Sequence, residues 1–539
     1  MIRLTIKLFA KLLQSHAKRF RKALENPQTA QELVQRELLR RLAASEYGKS
    51  LGIAEEGWKN PAENWQRIPI VEYDEIKSWI ETPGRNGNSE ASKKKLDRRS
   101  SLTPEPILFY EKTSGSRGTA KWIPYSKSLR RSFHHLFCIW AEDLIKNGPE
   151  FCTGKLYFCI SPQVGDRETE SQVTRGLEDD SDYLEEWLRW FLRPFLVSPA
   201  GLNRIRDVAE FKEKLCLALL AEENLEIISI WSPSFLQIHL DYIAQNHKRL
   251  VENLGGRISV FRAVLLEQSE IPWSKVWPHL KLISCWDSAH SAQQAEGLRR
   301  QFPQVLVQGK GLLATEAPMT IPLIAAGGFV PILDEVFFEF EDNCGRIFPL
   351  QNVRVGEAYS VIISQKGGLY RYRIGDRIRV THFYRQTPCL EFIGRCKATS
   401  DLVGEKLHES FVCDIIKRLN VSDTFFKIVV SATKPTAHYL LLLDRANRSA
   451  EEIAQQFDAE LMRSPHYCKA RAIGQLSAAR VLISPQMPNR MAQYRTDGGK
   501  KWGDLKPEVL AIAPIEEKFL AELEKHCIKS GSSQPSSLA

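Results

Sequence analysis

The sequence has no apolar stretch approaching the roughly 18 uninterrupted residues that a membrane span requires; its best candidates are short runs such as YLLLLD at Tyr439–Asp444. It has no C-x-x-C pair. Its eleven cysteines are odd in number and scattered, which points to neither a disulfide framework nor a zinc site. A reducing cytosol is the expected compartment, and the protein is read as cytoplasmic. Internal repeats are missing too. With 43% hydrophobic and 26% charged residues the composition is that of a globular chain, so collagen-like, low-complexity and wholly disordered classes are excluded. At about 100–200 residues per domain, 539 residues imply two to four domains rather than one small binding module.

Acid is missing from one segment. Residues 1–24 carry Arg3, Lys7, Lys11, Lys18, Arg19, Arg21 and Lys22 with no acid before Glu25. Seven of the nine excess positive charges therefore sit there, and the other 515 residues are nearly neutral. An overall basic balance would point to nucleic acid or a lipid surface; this distribution argues against a nucleic-acid partner. The segment also places Leu4, Leu8 and Leu12, with Ile6, Phe9 and Leu13, at helical spacing. That fits a transit peptide or membrane-surface helix. An amphipathic helix lying on the main domain fits better, because apolar positions are few and no cleavage-like segment follows.

What is present reads as α/β. Residues 31–45 form an amphipathic pattern, and 84–104 a polar linker. From 107 to about 393, short apolar runs (LYFCIS, RAVLL, LKLISC, QVLVQ, YSVIIS) alternate with helical stretches at 206–224 and 234–253, the α/β signature. The acidic run EDDSD at 178–182 is most simply a solvated loop. Near 394 the texture changes: helix HESFVCDIIKRL, strands FFKIVVSA and HYLLLLD, then a helix opening on Ser449-x-x-Glu452, a capping box. A further helix at about 514–527 precedes a polar tail. The expectation is a large domain, residues 1–393, and a smaller α+β domain, residues 394–539.

Five constellations carry chemistry. In Thr113-Ser-Gly-Ser-Arg-Gly-Thr-Ala-Lys121 two glycines let backbone N–H groups converge on an anion, hydroxyls add donors, and Arg117 and Lys121 bring charge, as a polyphosphate requires. It is not the G-x-x-x-x-G-K-[ST] loop, and a surface turn is the plainer alternative. In Gly367–Asp376 (GGLYRYRIGD) an acid on a Gly-Asp turn at a strand end would accept from two vicinal hydroxyls of a ribose; otherwise it is a turn Asp packed on arginines. Thr315-Glu316 follows the apolar QVLVQ, where a carboxylate suits Mg2+, an ion that prefers oxygen ligands; an ordinary loop Glu is the alternative. Fourth and fifth are FIGR (392–395) with GEKL (404–407), and GDLKP (503–507), whose lysine would swing into a cleft.

Their order and spacing resemble one family, the Gretchen Hagen (auxin-responsive) acyl acid amido synthetases, a branch of the adenylate-forming superfamily. The resemblance covers roughly residues 100–510 and rests on TSGSRGTAKWIPYS, IWSPSFL (230–236), VFFEF (336–340) and VRVGEAYSVIISQKGGLYRYRIGDRIRVTHF (353–383) running into EFIGR. It implies a large N-terminal α/β adenylation domain and a smaller, mobile α+β C-terminal domain, with ATP and a carboxylic acid bound between them. It further implies that Ser114, Ser116, Thr119 and Lys121 touch the triphosphate, that Thr315 and Glu316 sit at the α-phosphate and Mg2+, and that Phe337 flanks adenine. Asp376 would take the ribose, Arg395 the hinge-side basic position, and Lys406 and Lys506 the lysines of the small domain. Ser116-Arg117 departs from the family's Thr-Thr or Thr-Ser, and GEKLHE is equally close to the wider superfamily.

The implied reaction is ATP-dependent adenylation of a carboxylic acid, then transfer of the acyl group to an amine, an amino acid by the resemblance. An acyl-CoA or acyl-carrier synthetase and a non-catalytic nucleotide-binding descendant stay open; acceptor analysis separates the first, and absence of acid-dependent pyrophosphate exchange would favour the second. Phe133–Trp140 and Ile228–Phe235 hold aromatics suited to a planar or apolar acid, with core packing the alternative. His134 and His135 have no task in adenylation, because the acid is already ionised.

Overall fold

The computed structural model describes residues 2–527 except 54–58, 60, 81–100, 113–120, 160–185, 198, 200, 203, 204, 206, 289, 290, 396–398, 404, 406, 422, 423, 473 and 498–507. The polar linker (but for 101–104), the acidic run and the C-terminal tail thus lie outside the described residues. The rest divides into two units, the first ending at Gly394 and the second beginning at Arg395. Among the described residues no helix is long and apolar enough to cross a membrane, and no disulfide joins the cysteines.

The first unit opens with α1 (Ile2–Glu25), which buries Phe9, Leu13, Ala17, Phe20 and Leu24, a single stripe at helical spacing. Leu4, Leu8 and Leu12 face away from it, at 63%, 56% and 61% exposure. Leu8-Phe9 and Leu12-Leu13 are adjacent pairs about 100° apart on a helix, so spacing alone did not choose between the two stripes. α2 (Pro27–Ala43) starts on Asn26, whose side chain accepts the N–H of Thr29, with Pro27 in the first turn, where its missing N–H costs no bond. Then come α3 (Glu46–Ser50), α4 (Pro61–Gln66), α5 (Tyr73–Ile80) and α6 (Lys127–Asn147). α6 is capped by Ser126, which accepts from the Leu129 N–H, and packs along α1.

Strands β1 (Ile107–Lys112) and β2 (Trp122–Ser126) pair antiparallel, with Lys112 opposite Trp122. β3 (Lys155–Phe158), β4 (Leu225–Ser229), β5 (Leu282–Cys285) and β6 (Leu306–Gly309) form a parallel sheet in chain order. Parallel neighbours need crossovers; helices Val208–Ala221, Pro233–Leu254 and Ala292–Gln301 lie between them in the chain. One apolar run departs from the strand reading: RAVLL lies in helix Val260–Leu265, begun by Ser259, whose hydroxyl accepts from the Arg262 N–H. A short apolar run does not distinguish strand from buried helix, and the cap decides.

The chain continues through two hairpins, β7 (Leu313–Ala314) with β8 (Ala317–Pro318), and β9 (Thr320–Leu323) with β10 (Gly328–Pro331). It then builds a five-stranded sheet in the order β12-β11-β13-β14-β15 from β11 (Phe337–Glu341), β12 (Ile347–Pro349), β13 (Ala358–Ser364), β14 (Tyr372–Tyr384) and β15 (Thr387–Arg395). One apolar core joins this sheet to α2, α6 and the β1–β2 hairpin.

In the second unit, a small pair β16 (Thr399–Ser400) and β17 (Leu407–His408) precedes helix Glu409–Arg418. β18 (Lys427–Ala432) and β19 (His438–Leu443) pair antiparallel, and β20 (Arg480–Ile483) runs parallel to β19. Val429, Tyr439, Leu441 and Leu443 pack with Val412, Ile415 and Phe457, while Ile428, Val430, Leu440 and Leu442 pack with Met487 and Met491. Both faces of this sheet are covered, which is why HYLLLL reads as a continuous apolar run rather than an alternation. Ser449 and Glu452 form the capping box of helix Ala450–Leu461 as the spacing predicts.

Candidate functional site

Residues 113–120, with Ser114, Ser116 and Thr119, lie outside the described residues, but the strands flanking them are fixed. Lys121 precedes β2. Its ammonium donates to the Tyr372 hydroxyl at 2.9 Å and lies 5.5 Å from the Tyr73 ring and 5.6 Å from the Tyr372 ring. The backbone N–H of Trp122 donates to the Tyr73 hydroxyl at 2.8 Å. Two tyrosines, from α5 and from the start of β14, thus hold the base of the hairpin and its cation. Tyr372 belongs to the GGLYRYRIGD motif, so two of the sequence constellations meet in this bond.

A third joins through Tyr125, four residues beyond Lys121. Its hydroxyl donates to the Thr315 carbonyl at 2.7 Å. Ala314 pairs with Ala317, so Thr315 and Glu316 are the two-residue tip of the β7–β8 hairpin. Glu316 is 8% exposed, and among the described residues its carboxylate makes no hydrogen bond or ion pair. The approach to this tip is tight: Gly311 has φ +65° and a Cβ there would fall 2.3 Å from Thr320 Oγ1, which itself accepts the Leu312 N–H at 2.7 Å.

Asp376 departs from the expected strand-end turn. It lies inside β14, where the register with β13 slips between the pairs Ile362–Arg373 and Ser360–Arg377, so Ile374-Gly375-Asp376 is a bulge. Gly375 takes φ +88°, which a residue with a side chain rarely adopts. Bulges re-aim side chains; Asp376 ends 7% exposed. The motif's arginines are structural. Arg371 forks onto Glu339 at 3.0 and 2.8 Å and donates to the Ile68 carbonyl at 2.9 Å, while Arg373 forks onto Glu341 at 3.0 and 2.7 Å.

Phe337 opens β11 and packs its ring edge-on to Trp65, centroids 4.7 Å apart. Arg395 closes β15 and opens the second unit. Lys406 and Lys506 lie outside the described residues. The two aromatic segments split: Phe133, Ile228 and Phe235 are buried in cores, whereas Phe137 and Trp140 line an apolar cavity of about 130 Å³ with Phe9 and Leu13 of α1 and Phe191.

Sequence reasoning missed Lys310. Ligands of open parallel sheets bind beyond the carboxyl ends of the strands, and Lys310 directly follows β6. It is buried, donates to Ser229 Oγ at the end of β4 at 2.8 Å, and lies 5.1 Å from the Trp231 ring and 5.8 Å from the Trp140 ring. Beyond β5, Asp287 pairs with Arg299 at 3.1 Å, and burial pushes its carboxyl above the usual range. The one available signal was a lysine between Gly309 and Gly311 at a strand end.

The pattern described as GH3 family N-terminal domain matches residues 16–260, and that of the GH3 family central domain matches residues 329–395, together more than half of the chain. The sequence is 24% identical over 488 residues to indole-3-acetic acid-amido synthetase GH3.15 of Arabidopsis thaliana, covering 78% of this chain and 75% of that one. It is 23% identical over 513 residues to the probable indole-3-acetic acid-amido synthetase GH3.11 of Oryza sativa subsp. japonica, covering 81% and 82%. The fold is similar to that of AtGH3.15 acyl acid amido synthetase in complex with 2,4-DB, with TM-score 0.77, 17% identity and 96% of each chain covered.

Proposed function

The chain belongs to the GH3 family, and from that premise we propose that it is an ATP-dependent acyl acid amido synthetase, which adenylates a carboxylic acid and passes the acyl group to an amine, an amino acid. The observation that carries the reading is Glu316, a buried carboxylate at a hairpin tip with no protein cation among the described residues, whose neighbour Thr315 accepts from Tyr125 in the strand that follows Lys121.

The chemistry follows from the substrate. A carboxylate is a poor electrophile, and an amine attacking it would have to expel oxide. Attack of the acid on the α-phosphorus of ATP instead gives acyl-AMP and pyrophosphate, and AMP is then displaced by the amine. Lys121, with its ammonium oriented by Tyr372, supplies positive charge to the phosphates, with Ser114, Ser116 and Thr119 as further donors. Glu316 fits Mg2+: an oxygen donor without a competing cation. Bound there with Thr315, Mg2+ would offset charge on the phosphates. Asp376 accepts from the ribose hydroxyls, Phe337 flanks the adenine, and Arg395, Lys406 and Lys506 complete the nucleotide set. Lys310 offers its charge to the acid's carboxylate between two tryptophans. A cytosolic setting completes the proposal.

Product analysis tests the second half-reaction. The protein with ATP, Mg2+ and an accepted acid is given amino acids in one series and coenzyme A in another. Amide with AMP in the first and no thioester in the second is expected; thioester alone makes the protein an acyl-CoA synthetase.

A further inference from the structure

Under α1 the first unit gathers three histidines and a cysteine that the proposed reaction leaves unused. His134 and Cys138 lie one turn apart on α6, both buried, with Nε2 and Sγ 3.4 Å apart. His16 of α1 meets them: a ring nitrogen of His16, one of His134 and the Cys138 sulfur all lie within 4.8 Å of one another. We propose that His16, His134 and Cys138 bind one Zn2+ and so fasten α1 to α6.

Tetrahedral Zn2+ holds sulfur at about 2.3 Å and nitrogen at about 2.0–2.1 Å, which separates two such ligands by roughly 3.5 Å; His134 and Cys138 already stand at that spacing. The donors are two imidazoles and a thiolate with no oxygen, a set that selects zinc over magnesium or calcium. Three protein ligands leave the fourth position to water.

The surroundings orient His16 as a ligand. His135 Nε2 lies 2.9 Å from Asp334 Oδ2, and its Nδ1 lies 2.7 Å from His16 Nδ1. Asp334 is a carboxylate paired with Arg19 at 3.0 Å, so His135 donates to it through Nε2. The contact between His135 and His16 holds the His16 ring beside His134 and Cys138, as hydrogen-bonded partners of ligand histidines do. The thiol of Cys138 loses its proton on binding, so affinity rises with pH. The neighbouring group His135, Asp334 and Glu335 has ligand-like spacing as well. Its carboxylates already face Arg19 and Lys366, so a cation there has no unbalanced charge to meet. The cysteine spacing in the sequence gave no sign of a site because the ligands come from two helices more than 100 residues apart and only one is a cysteine.

The test is a Co2+ titration of the full chain after chelation. One equivalent should bind with a thiolate-to-cobalt band in the near ultraviolet, Zn2+ should displace it, and added Zn2+ should raise the melting temperature. Cys138→Ser should abolish the band. His16→Gln, at the half-exposed corner of the cluster, should weaken binding at least tenfold and keeps the test readable if a change at the buried cysteine prevents folding. His135→Gln, a change at a positioning residue, should cost 10- to 100-fold in affinity with the band retained. Absence of stoichiometric binding to the wild type, or a thiolate band that survives in Cys138→Ser, overturns the proposal.

Discussion

Glu316 and Glu335 are both buried in the first unit, and the fold treats them oppositely. Glu335 accepts from Ser132 at 2.6 Å and pairs with Lys366 at 2.9 Å and with Arg19 of α1. Burial pushes its carboxyl up, but Lys366 and Arg19 outweigh that and hold it down at about 2. Glu316 has no such partners among the described residues. Removing a carboxylate from water without a cation is costly, so a folded chain keeps one only where something else meets the charge. The comparison teaches how to sort acids at a candidate site. One whose cation is supplied by the fold holds the structure, and one left without it is placed for a ligand that brings the cation.

The sharpest way to break that distinction is to neutralise each acid. Glu316→Gln should lower pyrophosphate exchange by at least a hundredfold, in the range of losing one transition-state charge contact, with an unchanged melting temperature. If exchange survives at the same Mg2+ level, Glu316 is not a metal ligand. Glu335→Gln should do the reverse, costing about 3 kcal/mol of stability because two cations lose a buried partner, while exchange persists at temperatures where the variant is folded.

The same pair can be separated by pH. Because the folded value of Glu335 is depressed, its stabilisation is present above the ordinary glutamate value of 4.5 and is lost as pH falls toward about 2. The stability gap between wild type and Glu335→Gln should therefore close over that window as acid is added, as read from denaturant melts. A gap that stays constant would mean that the ion pairs are not what the glutamate contributes.

Smaller effects sharpen the ligand side of the comparison. Asp376→Ala removes two proposed hydrogen bonds to a charged acceptor, worth roughly 1.5–3 kcal/mol each, so the Michaelis constant for ATP should rise well over tenfold. Lys310→Met should raise the Michaelis constant for the acid by about tenfold and leave that for ATP alone. An unchanged acid dependence in a folded variant would assign Lys310 to packing among its tryptophans.

Sequence pattern reached the fold where local chemistry was self-sufficient. The Ser449 capping box and the double-faced apolar strand HYLLLL need nothing beyond their own residues to be recognised. It missed where the outcome depends on distant partners. Which of two adjacent leucine stripes of α1 is buried depends on α6, and whether RAVLL is helix or strand was settled by one serine cap. Gly-Asp favours a turn and by sequence alone places Asp376 on one, but pairing with β13 carries the strand through and turns the glycine into a bulge. Lys310 was invisible for the same reason, since its meaning comes from Ser229, Trp231 and Trp140, which the parallel sheet and α6 bring to it.

The most direct measurement is ATP–pyrophosphate exchange by the wild-type chain across a panel of carboxylic acids, with and without Mg2+. Exchange that requires both an acid and Mg2+ is the predicted result. A folded protein that binds ATP yet catalyses no exchange with any acid would contradict the account and leave a nucleotide-binding protein without the adenylation step.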